Sequence, residues 1–541
     1  MRVNIRSFLF PAAVILAGAL AGGLFGGGSL ATGETLDESL KTLGEILTIV
    51  EDRYVDDVPS ETLVYNAIRG MLRTLDPHSN FLDEESYRDM QEEQHGAFYG
   101  LGIVINKPGK DKPLTVISPI EGTPAARMGV RAGDVISHIR DAAAKVDIDT
   151  IGIESQEAVK YLRGPKGTEV TITVERVGFD KPLEFTLVRD TVPTNSVTNA
   201  FMIRPGTGYI RLINFTQTTA EELDKALESL DAQGMERLVL DLRGNPGGLL
   251  AQAVKVSDRF LGGEKLIVYT RGRVRGSAEE YRATNRTDVE RFPLVVLVNR
   301  GSASASEIVA GALQDHDRAL ILGQNTFGKG LVQSVFRLSR RTGLALTTAK
   351  YYTPSGRLIQ RDYSSLEEYF DAEESALPPE DQRESMRTDS GRPVYGGGGI
   401  APDIRVESPE VPRLVVDLAR QNAFFNFAVG YVAKHPEVAT ISGDPARVEA
   451  FRAEFVVDDA LLESFRAYLR ERKIDFDEAD LAGAAPRVKG LIKAEIAGAL
   501  GGLTQRDRVL IDDDPQVRAA LDSLEQARLL AQGSSPAPVT Q

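Results

Sequence analysis

The sequence contains no cysteine in its 541 residues. Disulfide bonds, cysteine nucleophiles and thiolate metal sites are therefore excluded. Basic residues are not in excess either, since 63 Lys and Arg stand against 78 Asp and Glu, for a formal net charge of −15. This balance argues against a nucleic acid as partner, because nucleic-acid binding relies on a basic surface. Single hydrophobic cores stop growing near ~250–300 residues, so the length predicts several domains.

The N-terminus predicts export. Arg2 and Arg6 precede an apolar run at residues 7–24, and the small residues Ser29 and Ala31 follow it. A positive flank, a short apolar core and small residues together form an export signal. The run is close to the lower length limit of a spanning helix, so an uncleaved membrane anchor is the alternative. We assign residues 1–33 to a signal peptide or anchor and place the rest in the periplasm or on the membrane facing it.

Two regions are predicted to be helical. In the first, residues 34–95, apolar residues recur at three- and four-residue steps from Leu36 to Val50 and from Leu63 to Leu72, which is typical of amphipathic helices. We expect this region to make dimer contacts. The second, residues 411–530, has a core stripe that begins at Phe424. Residues 362–390 are rich in acids and predict a solvated loop, and residues 531–541 predict a flexible tail.

Residues 96–189 predict a compact, β-rich module. It contains a Gly-Leu-Gly loop at residues 100–102, the run Ala-Gly-Asp-Val-Ile at residues 132–136 and a short helix at residues 155–162. This order resembles a PDZ domain. The resemblance implies that backbone N–H groups of the loop bind a peptide's C-terminal carboxylate, and that the peptide adds as a strand beside residues 103–105. The peptide-binding residues expected are Tyr99, Gly100, Leu101, Gly102, Ile103 and Arg163. Arg163 lies at the end of the short helix, and two roles are open for it: signalling to the next domain that a peptide is bound, or capping the helix.

Residues 190–410 alternate strands with helices, which indicates a mostly parallel sheet covered on both faces. A buried-strand pattern at residues 294–298 leads into Ser302, Ser304 and Ser306, and a helix follows. Lys329 stands between two glycines further along. A serine needs a base to act as a nucleophile, and a desolvated, neutral lysine can serve as one. The residues indicate a Ser–Lys hydrolase but do not choose among the three serines.

Two competing patterns are weaker. The segment that ends at Lys329 matches most of a phosphate-binding loop, but the next residue is Gly330 where that motif needs Ser or Thr, and residues 331–338 look extended. His316, between Asp315 and Asp317, would suit a Ser-His-Asp triad. It stands at the end of a predicted helix, which favours a helix C-cap instead.

The serine and lysine motifs, the PDZ-like module, the Leu75-Asp-Pro-His-Ser79 turn and the Gly399-Ile-Ala-Pro-Asp-Ile404 segment together resemble the carboxyl-terminal processing (tail-specific) peptidases. The similarity covers roughly residues 34–404. It implies an α/β protease core of the crotonase/Clp-protease type at residues 190–410, with an inserted PDZ domain and helical N- and C-terminal regions. The site residues it implies are Ser304 as nucleophile, Lys329 as general base, Gln333 as the residue that orients the lysine, and the N–H groups of Ala305 and of Gly247 or Gly248 as oxyanion donors.

The expected function is that of an exported serine endopeptidase that processes proteins from or near their C-termini, with the PDZ domain capturing the C-terminus or gating the core. No cofactor or metal is expected. The expected partners are protein or peptide substrates with free C-termini, a second copy of the chain bound through the helical regions, and an activating adaptor. A PDZ adaptor with an inactive peptidase-like core is the alternative.

The lysine must lose its proton to act as a base. Burial beside Phe327, Leu331 and Val332, away from carboxylates, would lower the pKa of Lys329. We expect Glu307 to point along the first turn of its helix rather than toward Lys329. An acid at position 333 would hold the lysine in its ammonium form, whereas Gln333 can hydrogen-bond it without adding charge.

Overall fold

A computed structural model describes residues 36–284, 292–338, 341–365, 369–370, 382–441 and 444–532. The predicted signal or anchor, about half of the acidic segment and nearly all of the tail lie outside these residues. Every helix among them is too short or too polar to cross a lipid bilayer. The chain divides into two compact units, which we describe separately.

The first unit contains residues 36–83 and 335–346 as far as they are described. Its elements are α1 (36–53), α2 (Ser60–Arg73) and β1 (Asn80–Leu82). β1 pairs antiparallel with residues 343–345, and buried Phe81 contacts the ring of Tyr65. The predicted amphipathic helix forms at α1, but the large apolar side chains of its stripe are 43% to 63% exposed at Leu36, Leu40, Leu43, Ile46 and Ile49.

The second unit begins with α3 and the β-rich module. The elements of this part are α3 (Glu84–His95), β2 (Ala97–Gly100), β3 (Ile103–Asn106), β4 (Leu114–Pro119), α4 (Pro124–Met128), β5 (Val135–Asp141), β6 (Val146–Asp149), α5 (Ser155–Leu162), β7 (Glu169–Glu175), β8 (Leu183–Val188) and β9 (Asp190–Pro193). β2 and β9 form an antiparallel ribbon at the two ends of the module. The main sheet has the order β3-β4-β5-β7-β8, and β6 pairs with β5. Because β3 is an edge strand, its outer side is open to a further strand.

The core that follows has two sheets and a small hairpin. Its elements are β10 (Val197–Arg204), β11 (Thr207–Leu212), α6 (Thr219–Asp231), β12 (Arg237–Asp241), α7 (Leu250–Asp258), β13 (Leu266–Arg271), β14 (Glu280–Arg282), β15 (Leu294–Val298), α8 (Ala305–Asp315), β16 (Leu320–Gly323), β17 (Leu331–Arg337), β18 (Gly343–Tyr352), β19 (Ser385–Arg387), β20 (Pro393–Tyr395) and β21 (Ile404–Arg405). The larger sheet has the order β10-β11-β12-β15-β16-β21 and is parallel except for β10. β18 pairs with β13 and with β17. The hairpin of β19 and β20 lies partly within the segment predicted to be a solvated loop.

Ten helices follow in the described part of the C-terminal region: α9 (Arg413–Arg420), α10 (Ala423–Lys434), α11 (Pro436–Ala439), α12 (Pro445–Glu454), α13 (Asp459–Glu471), α14 (Glu478–Gly483), α15 (Ala485–Gly501), α16 (Leu503–Asp512), α17 (Pro515–Asp522) and α18 (Leu524–Ala531). Residues from α9 to α15 share one apolar core that includes Phe424 and Phe427 of the predicted stripe. α6, α7 and α8 bury one face of the larger sheet, and α16 to α18 bury the other. The prediction of a mostly parallel sheet covered on both faces is confirmed.

Candidate active site

The turn that carries Ser304 is tight. β15 is fully buried, and α8 begins at Ala305 directly after Ser304. Ser304 itself has φ +54° and ψ −111°, a backbone conformation that non-glycine residues rarely adopt and that costs on the order of 1–3 kcal/mol. The N–H of Ala305 belongs to the first helical residue, so it has no acceptor within the helix. The strand-to-helix turn therefore presents a strained serine beside an N–H group that has no acceptor in the described part of the chain.

The other two serines of the motif have structural hydrogen bonds. The hydroxyl of Ser302 donates to the carbonyl of Leu242 at 2.8 Å, and the hydroxyl of Ser306 donates to the carbonyl of Asn245 at 2.9 Å. Both side chains are fully buried, whereas Ser304 is half-buried. Of the three, Ser304 is thus the serine whose position suits a nucleophile, which the sequence pattern alone left undecided.

A buried carboxylate joins the serine turn to the lysine loop. Glu307 accepts hydrogen bonds at Oε2 from the N–H groups of Ser304 (2.8 Å) and Lys329 (2.9 Å). Its Oε1 accepts from the N–H of Gly328 (2.7 Å) and the hydroxyl of Thr326 (2.5 Å). The expectation that Glu307 points along its own first turn is confirmed by its bond to the N–H of Ser304, but the expectation that no carboxylate lies near Lys329 is wrong. Its position in the first turn of α8 lets the side chain span both segments.

The charge state of this carboxylate depends on its burial. Glu307 is fully buried, and desolvation raises its pKa to about 7 against the opposing effect of its four hydrogen-bond donors. Near neutral pH a fraction of the molecules therefore carries a neutral Glu307.

Tyr351, in β18, holds the same two residues from the carbonyl side. Its hydroxyl lies 3.1 Å from the carbonyl oxygen of Ser304 and also donates to the carbonyl oxygen of Lys329. The ring is buried, and its backbone N–H donates to the carbonyl of Gly330. Burial raises the pKa of Tyr351 well above its usual range, so the hydroxyl keeps its proton. Nothing in the sequence pattern of β18 identifies this tyrosine.

The lysine lies where the loop enters β17. Lys329 is half-buried, and Leu331 and Gln333 follow it in the strand. β17 confirms the extended conformation expected after Gly330 and agrees with rejecting a phosphate-binding loop. The amide nitrogen of Gln333 donates to the hydroxyl of Thr347 at 3.3 Å, so its carbonyl oxygen remains available as an acceptor.

The glycine loop packs directly on the serine turn. A Cβ added to Gly247 would lie 2.8 Å from the Cβ of Ser304 and 2.9 Å from the nitrogen of Ala305. The N–H of Gly247 donates to the side chain of Asn245 at 2.9 Å. The N–H of Gly248 has no acceptor among the residues that the structure describes. Of the two glycines considered for the oxyanion site, only Gly248 therefore has its donor free.

Asn245 is a site residue that the sequence reasoning missed. It is fully buried, and its backbone carbonyl accepts from the N–H of Ala303 and the hydroxyl of Ser306. Its side chain donates to Leu212 and accepts from Gly247. Asn245 thus holds the glycine loop against the serine turn, and only its place in a tight-turn motif pointed to it.

His316 is the C-cap of α8, as expected. Its ring contacts Asp389 at 2.9 Å and the carbonyl of Leu266 at 2.7 Å. Both ring nitrogens are occupied away from Ser304, so the Ser-His-Asp triad is not assembled.

The β-rich module presents the predicted peptide-binding loop. Leu101 is buried and Gly102 has φ +75°, and the carbonyls of both residues accept hydrogen bonds from residues 120–125. Their N–H groups have no acceptor among the described residues, and Ile103 opens the edge strand β3. Tyr99 and Gly100 lie just before the loop, within the β2–β9 ribbon.

Arg163 joins the module to the preceding helix. It is the C-cap of α5, as one of its expected roles requires. Its guanidinium also lies over the ring of Phe98, 4.2 Å from the centroid, and pairs with Glu92 of α3 at 3.7 Å. The side chain therefore links the end of the PDZ helix to β2 and α3.

Known proteins share this organisation. A family model for peptidase family S41 matches residues 206–364, and a PDZ-domain model matches residues 115–176. A carboxy-terminal-processing protease of Bartonella bacilliformis is 45% identical over 329 residues, which are 60% of this chain and 73% of that protein. The chain belongs to the carboxyl-terminal processing proteases.

Further relatives of this protease agree. The carboxyl-terminal-processing protease of Synechocystis is 42% identical over 55% of this chain and 68% of its own length. The protease CtpA of Bacillus subtilis is 33% identical over 65% of this chain and 74% of its own length. A model of the N-terminal domain of the activating protease CtpB matches residues 28–86, and a family of unknown function matches residues 414–502. The protein is thus a serine-type C-terminal processing peptidase with a PDZ domain.

Proposed function

We propose that Ser304 is the nucleophile of this protease and that Lys329 is its general base. The neutral amine of Lys329 takes the proton of Ser304 as its hydroxyl oxygen attacks the scissile carbonyl. The N–H groups of Ala305 and Gly248 donate to the oxyanion that forms. Lys329 then gives the proton to the leaving amine, and water hydrolyses the acyl-enzyme by the same route. Gln333 orients the lysine through its free carbonyl oxygen without adding charge.

A single shared acceptor carries this proposal. One oxygen of Glu307 binds the backbone N–H groups of both Ser304 and Lys329. Two residues that are 25 positions apart in the sequence are thereby held side by side, with Tyr351 joining their carbonyl groups. This geometry supports a Ser–Lys centre more strongly than either motif alone.

The test combines variants with a serine-reactive probe. Ser304→Ala and Lys329→Ala are each expected to abolish peptide hydrolysis, and the double variant should lose little more, because the two groups act as one unit. Lys329→Arg should also be inactive, since arginine keeps its proton in proteins. A fluorophosphonate should label wild type but not Ser304→Ala. Robust hydrolysis by Lys329→Arg would rule out lysine as the base, and absence of labelling in wild type would favour the inactive-scaffold alternative.

We also propose that the PDZ domain captures the free C-terminus of a protein substrate. The free N–H groups of Leu101 and Gly102 would bind the carboxylate, and the peptide would pair with the open edge of β3. Arg163 would transmit the presence of a bound peptide toward the core through its contacts with Phe98 and Glu92. Deleting residues 96–189 distinguishes capture of the substrate from gating of the core. Lost activity would mean that the PDZ domain delivers the substrate or activates the core, and unchecked activity would mean that it gates the core.

Export and assembly belong to the same proposal. The signal-like residues 1–33 support a location in the periplasm or on the membrane facing it, which cell fractionation with N-terminal sequencing would test. The exposed apolar face of α1 supports a homodimer. The match to the CtpB N-terminal domain supports a role of this region in activation by a partner.

A further inference from the structure

A buried arginine beside the lysine loop has no acceptor among the residues that the structure describes. The side chain of Arg361 lies over the ring of Phe327, 5.2 Å from the centroid, and its residue is only 9% exposed. Its backbone N–H donates to the carbonyl of Gly328 at 3.0 Å, which fixes it against the segment that leads to Lys329. Among the described residues its guanidinium makes no hydrogen bond and no ion pair, and its Nε is shielded from solvent.

The other buried arginines of the described chain have carboxylate partners. Arg189, 2% exposed, pairs with Asp141 at 2.8 Å and donates to several further acceptors. Arg357, fully buried, pairs with Asp315 at 2.5 Å. Shielding a guanidinium nitrogen, here the Nε of Arg361, from solvent without an acceptor is costly. Arg361 therefore stands out as a cation whose partner is not supplied by the described part of the fold.

The charge of Glu307 acts on Arg361, but the two residues share no hydrogen bond or ion pair. Both oxygens of Glu307 accept from donors of the serine turn and the lysine loop. Burial lowers the pKa of Arg361, and the charge of Glu307 opposes this shift. Among the described residues the guanidinium therefore lacks a hydrogen-bonded carboxylate.

We propose that Arg361 forms a carboxylate-binding subsite of the peptidase site, which takes an anionic group of the bound substrate segment. The planar guanidinium can hold a carboxylate through two parallel hydrogen bonds, and its stacking on Phe327 fixes the orientation of that fork. Two sources share this chemistry: the terminal carboxylate of a short tail, and an Asp or Glu side chain near the scissile bond. The inference rests on the proposed Ser304–Lys329 centre.

Peptide binding to the uncleaving Ser304→Ala protein tests the subsite without relying on catalysis. Three short fluorescent peptides of one apolar sequence are compared by anisotropy: the free acid, its C-terminal amide, and the amide with one Glu introduced. Gly102→Ala is added in parallel to block the PDZ loop, because its new Cβ would lie 2.2 Å from the Cβ of Thr123. Arg271→Gln is the matched control, since Arg271 stacks on Tyr269 at 5.0 Å but is exposed.

Arg361→Gln should weaken binding of either the free acid or the Glu-containing amide by roughly 10-fold to 100-fold and leave the plain amide unchanged. The peptide affected identifies the source of the carboxylate. Arg361→Lys should recover part of the loss, and Arg271→Gln should keep the wild-type pattern throughout. Equal affinities of Arg361→Gln and its parent for all three peptides would overturn the subsite. Hydrolysis that persists in Ser304→Ala would instead overturn the proposed centre, so the two failures are distinguishable.

Discussion

Ser304 combines a strained backbone with contacts that hold it there. A positive φ is disfavoured for serine, so the surrounding hydrogen bonds must impose it. Glu307 binds the N–H of Ser304 and Tyr351 contacts its carbonyl, while Gly247 packs beneath its Cβ. The proposed nucleophile is thus positioned by its neighbours rather than by its own conformational preference, and Glu307 and Tyr351 also contact the lysine loop.

The three serines of the motif should respond to substitution in opposite ways. Ser302→Ala leaves the backbone N–H of Asn299 without its acceptor and removes one of two donors to the buried carbonyl of Leu242. We therefore expect the free energy of unfolding to fall by about 1–3 kcal/mol while peptidase activity survives. Ser304→Ala should change stability by less than about 0.5 kcal/mol and remove the activity. Urea unfolding and peptide hydrolysis measured on both variants check this. An inactive Ser302→Ala variant with wild-type stability would move the nucleophile to Ser302.

Glu307 should make stability depend on pH. In the unfolded chain the glutamate ionises near its ordinary pKa of 4.5, whereas in the folded protein burial raises this pKa to about 7. Between these values the folded state binds more protons, so the free energy of unfolding falls as pH rises through this window, by about 3 kcal/mol in total. Urea unfolding at pH 4.5, 6 and 7.5 should show this fall in wild type but not in Glu307→Gln. Parallel pH curves for the two proteins would contradict it.

Individual helices differ in how much of their apolar surface is buried in the fold. α8 is buried along its whole length because the core sheet and β13 enclose it, whereas α1 leaves its apolar stripe exposed. A contiguous exposed apolar face usually marks an interaction site. At the element scale, α1 is therefore the helix best suited to an interface with a second copy.

Charges placed on this stripe should separate the proposed dimer. Leu40→Glu combined with Ile46→Glu puts two carboxylates in the proposed apolar contact, so by light scattering we expect a dimer for wild type and a monomer for the variant. Lys41→Glu changes the charge of the same helix without touching the stripe and should leave the assembly unchanged. A wild-type protein that is monomeric at micromolar concentration would refute the interface.

The C-terminal helices complete the catalytic core. Val517, Leu524 and Leu530 of α17 and α18 bury one face of the larger sheet. Arg243, just before the glycine loop, pairs with Asp241 at 2.6 Å and with Asp514 at 2.7 Å. At the scale of this unit, the C-terminal region thus covers the sheet and supports the loop that presents Gly247 and Gly248.

Removing residues 503–541 should unfold the protease core. Each fully buried aliphatic side chain contributes about 1.5–3 kcal/mol, so losing the helical layer removes an amount comparable with the whole stability of a domain, about 5–15 kcal/mol. We expect an insoluble product or strong binding of an apolar dye. Removing only residues 533–541 is the control and should leave solubility and activity intact. A soluble, active protein that ends at residue 502 would show that the layer is dispensable.

Local patterns in the chain predict its elements and the candidate chemistry of its site. The period of apolar residues is a local property, so it predicted the helix at Leu36 to Val50 and the buried strand at residues 294–298. The Gly-Leu-Gly loop together with the Ala-Gly-Asp-Val-Ile run identified the PDZ domain by resemblance. The resemblance of the serine and lysine motifs to a protein family likewise identified Ser304 and Lys329 as candidate site residues. These features depend on residues close together in the chain.

How these residues meet depends on the folded chain. Ser302 donates to a carbonyl 60 positions away, and Glu307 binds an N–H 22 positions away; no local pattern encodes such bonds, because they exist only once the sheet has aligned its strands. The contacts of Tyr351 with the carbonyls of Ser304 and Lys329 depend on the fold in the same way. So does the difference between Gly247, whose N–H has an acceptor, and Gly248, whose N–H has none among the described residues. The burial of Arg361 without an acceptor among these residues is a third example. Burial and long-range hydrogen bonds hold a side chain in the position that its role requires, and both arise only when the chain folds.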